Sequence, residues 1–305
     1  MAKKVKDPGF GYSSFKNAKS IINNDGTSNV VHINRKRSLD DLYTYFTEIS
    51  WFRFFALVIC LYTLLNIVFA FIYVAIDIEQ ITPSKGTFWE DLLNGFFFSA
   101  QTLTTVGYGG IAPQGMTANI IAAFEAMIGL LGFSFITGLL YGRFSKPRAA
   151  IKFSDQFIVR DFKEGKALMF RLMNSRKTVM IEPEITVMLS ITDKGDSDDF
   201  KRNFYQLTLE RNKIMYLPTI WTIVHEIKED SPLYKHLDQD LTKLDAELYI
   251  LLNYHEESFA QKVYNIHSYK FDKLIMNGHF EPSFSFDAEG NTVLDHDKLN
   301  EINPM

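Results

Sequence analysis

Two long apolar runs interrupt a chain that is otherwise mixed in character. The first, 52–75, carries a single charge, Arg53, at its start. The second, 117–141, holds one acid, Glu125, and three glycines, Gly129, Gly132 and Gly138. Twenty-odd helical residues span ~36 Å at ~1.5 Å each, enough to cross a bilayer. Trp51 and Tyr73 suit the two lipid–water interfaces. Ahead of the first run, Ser38-Leu39-Asp40-Asp41 predicts a helix start, with Ser38 as cap and two acids at the positive end of the dipole. Leu42, Tyr45, Phe46 and Ile49 then recur at helical spacing, so 38–50 reads as an amphipathic helix lying along the membrane surface.

Beyond Pro147 the period changes to two, as in Glu184-Ile185-Thr186-Val187-Met188-Leu189-Ser190-Ile191 and Ala246-Glu247-Leu248-Tyr249-Ile250-Leu251-Leu252. Several such runs at short spacing predict an antiparallel β-sandwich. Residues 1–37 are polar, basic and turn-rich, with Asn23-Asn24-Asp25-Gly26-Thr27 the clearest turn, and predict a mobile arm. Within that arm Val30-Val31-His32-Ile33 is either a short strand joining a sheet elsewhere or plain loop. The expected organisation is therefore an arm (1–37), a surface helix (38–50), a membrane domain (51–145) and a cytoplasmic β domain (146–305).

Charge fixes the expected orientation. Lys3, Lys4, Lys6, Lys16, Lys19, Arg35, Lys36 and Arg37 precede the first span, Arg143, Lys146, Arg148 and Lys152 follow the second, and only Lys85 is basic between them. The positive-inside rule then puts both termini in the cytoplasm of a cell (inner) membrane protein. The formal charge of −4 gives no argument for nucleic acid, and Cys60, the one cysteine, permits no intrachain disulfide. No apolar run follows Met1-Ala2-Lys3-Lys4-Val5-Lys6, so no secretory signal is read there.

Between the spans lies Thr105-Val106-Gly107-Tyr108-Gly109. It follows 89–104, which reads as a half-helix whose C-terminal end offers partial negative charge to a cation. A dehydrated potassium ion needs a cage of oxygens, and backbone carbonyls supply one if they all face the same way. Gly107 and Gly109 permit the dihedrals this requires. Thr105 adds a hydroxyl oxygen at the inner mouth, while Val106 and Tyr108 point away from the ion. This pentapeptide is the sequence of known potassium filters, so the assignment is recognition of a motif. K+ is then the bound and transported ion, held by the backbone of Thr105, Val106, Gly107 and Tyr108, with no organic cofactor. One chain with two spans cannot enclose an ion path, so a homotetramer is the natural closure.

The second span would line the inner cavity. Gly129 and Gly138 allow either close helix contact or bending, and are hinge candidates. Tyr141 sits where four rings constrict a pore, or where an interfacial tyrosine sits. An acid inside a span has a partner or water, and Glu125 is read as a support for the filter-bearing loop.

A stretch far from the filter, Thr222-Ile223-Val224-His225-Glu226-Ile227-Lys228-Glu229-Asp230-Ser231-Pro232-Leu233-Tyr234, resembles a hallmark of inward-rectifier potassium channels. Asp25-Gly26 through Ile33-Asn34, Ser145-Lys146-Pro147 and Gly278-His279-Phe280-Glu281-Pro282 are similar to that family's N-terminal strand, tether and C-terminal region. Without an extracellular cysteine pair, the chain resembles the prokaryotic, KirBac branch. The resemblance implies a homotetramer with an immunoglobulin-like cytoplasmic sandwich, within the wider voltage-gated channel superfamily. It implies that 38–50 is the slide helix and that Arg143, Lys146 and Arg148 meet anionic lipid headgroups, a reading that a basic cluster beside a span also supports. Family acids of the cytoplasmic pore match Glu182 and Glu257, which leaves Mg2+ or polyamine block open. Phe133 stands where strong rectifiers carry a cavity acid, so rectification is expected to be weak. Gln101 and Ile111 replace an acid–arginine pair behind the filter, and Ala149 and Ala150 replace two basic lipid residues.

Two other functions remain in view, a weakly selective cation channel and a membrane-anchored sandwich with a non-conducting pore. An enzyme is not expected. His225-Glu226 lacks the HExxH spacing, and His236, His255, His267 and His279 show no nucleophile pattern.

Overall fold

The computed structural model describes residues 3–14, 19–23, 25–36, 38–146, 149–194 and 200–304. These fall into two compact units, 34–146 and a second that joins 1–33 to 147–305.

The first unit is helical. Helix α1 (Leu39–Glu48) opens on the predicted Ser38 cap, with Asp41 returning a bond to the Ser38 backbone N–H. The long apolar runs form α2 (Trp51–Ala75) and α4 (Met116–Ser145). Both are long and apolar enough to cross a membrane. Between them lies α3 (Phe88–Leu103), whose first-turn Asp91 holds the chain ahead of the helix by accepting from Ser84 Oγ at 2.7 Å and the Lys85 N–H at 2.9 Å. Gly95 lets α3 close on α2, because a Cβ there would lie 3.1 Å from the Ala70 carbonyl oxygen. Phe98 meets Tyr73 edge to face at 4.9 Å.

The second unit is β-rich. Its strands are β1 (Lys3–Val5), β2 (Ser13–Ser14), β3 (Ile151–Phe153), β4 (Phe157–Phe162), β5 (Gly165–Asn174), β6 (Met180–Lys194), β7 (Phe200–Gln206), β8 (Tyr216–Leu217), β9 (Ile220–Ile227), β10 (Ala246–Glu256), β11 (Gln261–Lys270), β12 (Leu274–Met276), β13 (Gly278–Phe280), β14 (Phe284–Phe286), β15 (Thr292–Leu294) and β16 (Ile302–Pro304). One sheet runs β1-β7-β6-β10-β11, with β2 on β7 and β8 on β6; another runs β12-β4-β5-β3, with β9 on β5. The alternating run 184–191 sends Ile185, Val187, Leu189 and Ile191 inward, where they meet Leu248, Ile250 and Leu252 of β10 and Phe157, Phe170 and Leu172 of the other sheet. The sheets are not wholly antiparallel. Strand β12 runs parallel to β4, reached through the 3-10 turn Phe271–Lys273.

The arm differs from the expectation of a mobile segment. Lys3–Val5 pairs with β7, and Ser13–Ser14 extends the same edge. The predicted turn forms, with Asn23 N–H on the Thr27 carbonyl at 2.8 Å. Its Gly26 has φ +81° and lies so near the Ile266 carbonyl that a Cβ would be 2.2 Å from the oxygen. The segment at 30–33 makes no strand, and Val31 and Ile33 are exposed on this single chain.

Candidate functional site: the filter segment and its supports

Helix α3 ends at Leu103, and the chain turns at Thr104 into Thr105-Val106-Gly107-Tyr108-Gly109, the candidate filter segment. Thr105, Gly107 and Gly109 have φ of 59°, 54° and 79°, whereas Val106 and Tyr108 between them keep negative φ. Among the described residues, no atom outside the flanking positions lies within 4 Å of where a Cβ would sit on Gly107 or Gly109, so the dihedral, not space, demands glycine. Thr105 adopts the same left-handed region with a branched side chain, a strained choice that residue type does not announce.

The amide groups explain the segment's shape. The Val106 and Gly107 N–H groups donate to the Gln101 carbonyl at 2.9 and 3.3 Å. The Tyr108 N–H donates to Gln101 Oε1 at 3.1 Å. Three successive N–H groups thus face one residue, where an extended strand would alternate them. Residue pattern alone does not mark Gln101 as the residue on which this segment folds; its amide shows in the sequence only as the replacement of an acid. On the single chain Val106 is 54% exposed and Tyr108 87%.

Glu125 does not touch the filter segment. Its carboxyl group is buried among Tyr73 of α2 and Ser99 of α3, with Tyr73 Oη at 2.7 Å and Ser99 Oγ in hydrogen-bond contact. Ser99 Oγ also meets Asn66 Oδ1 at 2.9 Å. The acid therefore joins three helices, of which α3 leads into the candidate filter segment.

The two hinge candidates separate. A Cβ on Gly129 would lie 2.0 Å from the Leu103 carbonyl oxygen, so this glycine is where α4 passes against the end of α3. It is a packing position, and α4 runs unbroken through it. Among the described residues, nothing beyond its own helix lies within 4 Å of a Cβ placed on Gly138. Phe133 and Tyr141 are 72% and 74% exposed on the single chain.

The basic cluster is also divided. Arg143 is buried, not presented to headgroups. Its Nη1 and Nη2 donate to the Phe46 and Ile49 carbonyls at 2.6 and 2.7 Å. Its guanidinium lies 4.5 Å from the Trp51 ring centroid and 4.8 Å from that of Phe54. The last carbonyls of α1 have no partners within their own helix, and a cation there is doubly favoured. Lys146 Nζ pairs with Glu48 at 2.9 Å, with both side chains largely exposed. Arg148 lies outside the described residues.

In the β-rich unit Glu182 stands at φ 49° and pairs with Lys213 Nζ at 3.2 Å. Glu257 is exposed just past β10. Its neighbour Glu256 is buried, accepts from Thr178 Oγ1 at 3.0 Å and pairs with Arg176. In the hallmark stretch His225 is buried between the Thr208 carbonyl at 2.7 Å and Ser231 Oγ at 2.8 Å. Burial holds its pKa below the usual histidine value, so Nδ1–H donates to Thr208 and Nε2 accepts from Ser231. Glu226 beside it is held down to about 2 by Lys163, at 2.5 Å, and by Lys228.

Comparison with known proteins identifies the family. Residues 151–305 match the family described as inward rectifier potassium channel C-terminal domain, and residues 46–146 match the ion channel family. This chain belongs to the inward rectifier potassium channels. It is 35% identical over 286 residues to inward rectifier potassium channel Kirbac3.1 of Paramagnetospirillum magnetotacticum, covering 92% of this chain and 95% of that one. It is 26% identical to inward rectifier potassium channel 18 of Homo sapiens and 28% identical to ATP-sensitive inward rectifier potassium channel 12 of Gallus gallus. Each of these two alignments covers 86% of this chain and 66% of the relative. Among solved structures, an alkylpurine DNA glycosylase AlkC of Pseudomonas fluorescens aligns at TM-score 0.21 and 10% identity, over 63% of this chain and 50% of that one. That likeness carries no argument. The protein is thus a membrane ion channel for K+, not an enzyme, and the voltage-gated superfamily describes it only loosely.

Proposed function

We propose that four copies of this chain close a passive, potassium-selective pore whose filter is the backbone of Thr105, Val106, Gly107, Tyr108 and Gly109. The observation that carries this reading is the convergence of the Val106, Gly107 and Tyr108 N–H groups on Gln101, which in trans peptides turns the carbonyls of Thr105, Val106 and Gly107 the other way, toward the ion path. The exposure of Val106 and Tyr108 supports the assembly, since a filter strand needs packing that a single chain does not supply. Glu125 supports the filter indirectly, by tying α3 to α2 and α4.

Gating is assigned to the end of α4 near Tyr141, with Gly138 as the remaining hinge candidate. Arg143 and Lys146 tie that end to α1, the slide helix, so motion of α1 along the membrane surface and motion of α4 are one event. Anionic headgroups act on this junction through Arg148 and through Lys146 in competition with Glu48; Arg143 serves as the strut. Phe133 supplies no charge to the cavity, so rectification is weak. Mg2+ or polyamine block falls to Glu257 more than to Glu182, which already has Lys213. Both termini and the β-rich domain, read as an immunoglobulin-like sandwich, lie in the cytoplasm, at the inner membrane.

Rubidium flux into liposomes of defined anionic-lipid content, with bi-ionic reversal potentials for potassium and sodium, tests the reading. Flux with potassium over sodium selectivity is expected of the intact protein, and its loss is expected in Gly107→Asp. A monomer in the membrane, or sodium passing as freely as potassium, would overturn it.

A further inference from the structure

Asn66, Ser99, Tyr73 and Glu125 form a buried polar chain that is one proton short if Glu125 is ionised. All four are fully buried. Four contacts need donors: Tyr73 to Glu125 Oε2, Ser99 to Glu125 Oε1, Ser99 to Asn66 Oδ1, and Asn66 to the Tyr62 carbonyl. A hydroxyl has one proton, and an amide presents hydrogens on its nitrogen side only. Tyr73 supplies one contact, Asn66 Nδ2 supplies the 2.7 Å bond to Tyr62, and Ser99 supplies one of its two. Turning the Asn66 amide gives no help, because its oxygen would then face the Tyr62 carbonyl oxygen. An ionised carboxylate leaves two acceptor oxygens, Glu125 Oε1 and Asn66 Oδ1, pressed together at a fully buried Ser99, and buried polar groups are rarely left so.

We infer that Glu125 works as a neutral acid, a positioning residue that donates its own proton from Oε1 to Ser99 Oγ. Ser99 then donates to Asn66 Oδ1, Asn66 to the Tyr62 carbonyl, and Tyr73 to Glu125 Oε2. Every contact has one donor and one acceptor, and α3 is held to α2 and α4 without a buried charge. This deepens the reading of Glu125 as an indirect support of the filter, but the proton count stands on side-chain geometry alone.

The test is infrared difference spectroscopy on the purified full chain in liposomes at neutral pH, wild type against Glu125→Gln. A carbonyl stretch of a buried carboxylic acid, present in wild type and missing from the variant, is expected. A difference spectrum with carboxylate bands and no acid band would overturn the inference. Should Glu125→Gln fail to assemble, Ser99→Ala serves instead. It removes the proton's acceptor, so the acid band should move to higher frequency, and an unmoved or missing band counts against the inference. Gln presents an N–H to Ser99 and an oxygen to Tyr73, so Glu125→Gln should keep rubidium flux within about twofold of wild type. Lost flux in Glu125→Gln would count against the neutral acid, since a neutral isostere should serve in its place, whereas unchanged flux in Glu125→Ala, which removes both carboxyl contacts, would refute the support reading and leave the proton assignment, read from the wild-type acid band, standing.

Discussion

In the 34–146 unit Phe52, Ile59, Phe133 and Tyr141 lie on the outside, while Asn66, Ser99, Glu125 and Arg143 are buried. In the β-rich unit the arrangement is reversed. Phe157, Leu168, Phe170, Leu189 and Leu248 are buried, and Glu210, Glu226 and Lys163 make ion pairs at the surface. The contrast follows from the solvent each unit meets. Lipid tails are as apolar as leucine, so burying apolar side chains gains little there, and close backbone approach and hydrogen bonds hold helices together instead. The β-rich unit meets water and is held by apolar burial.

The sharpest way to break this contrast is to remove a close approach in the helical unit. Gly129→Val would push side-chain atoms into the Leu103 backbone, which cannot yield as a flexible side chain can. A cost of about 3 kcal/mol or more is expected, at the upper end of overpacking effects. Recovery of the assembled protein by size-exclusion chromatography in detergent should collapse, and flux with it. Among the described residues Gly132→Ala and Gly138→Ala meet no atom beyond their own helix, so lost assembly reports contact with another copy, whereas lost flux with assembly intact in Gly138→Ala reports the hinge.

A smaller effect is expected at Gln101. Gln101→Leu removes the acceptor of the Tyr108 N–H but keeps the backbone bonds to Val106 and Gly107. One such bond contributes about 1 kcal/mol, so the potassium over sodium permeability ratio should fall several-fold, not vanish. Gln101→Glu keeps an oxygen in place and should retain most selectivity. Bi-ionic reversal potentials on both variants decide, and equal ratios in Gln101→Leu and wild type would remove the residue from the filter's support.

What could be read from the sequence followed the same division. Apolar runs and alternation report which side of an element is wet, so α2, α4 and the strands of the β core were legible. The polar joints were not. Arg143 reads as a lipid contact because it is basic and beside a span; only the fold brings the open carbonyls of Phe46 and Ile49 against it. Gly129 and Gly138 are the same letter in the same helix, and only the path of α3 makes one of them a contact point. Gln101 acts through a main-chain carbonyl as much as through its side chain, which no residue pattern encodes. Lys3–Val5 reads as part of a mobile basic arm because three residues carry too little pattern to show that they pair with β7.

The smallest expected effect sharpens the contrast from the watery side. His225 is neutral within the β core, and burial holds its folded pKa below the unfolded value. The unfolded chain therefore binds the proton first as pH falls, and stability rises with pH wherever that difference exists. The contribution is complete above the unfolded histidine value of about 6.5 and is lost progressively below it, down toward the lower folded value. The slope from one group cannot exceed about 1.4 kcal/mol per pH unit. Thermal unfolding of the full chain followed through the β-sheet signal should show a melting temperature that declines from near neutral pH downward. His225→Gln retains a donor and an acceptor but has no proton to gain, so it should flatten that decline while lowering the plateau through imperfect fit. An undiminished slope in His225→Gln would move the titration to another group, and would mean that the hydrogen bonds to Thr208 and Ser231 accommodate the charged ring.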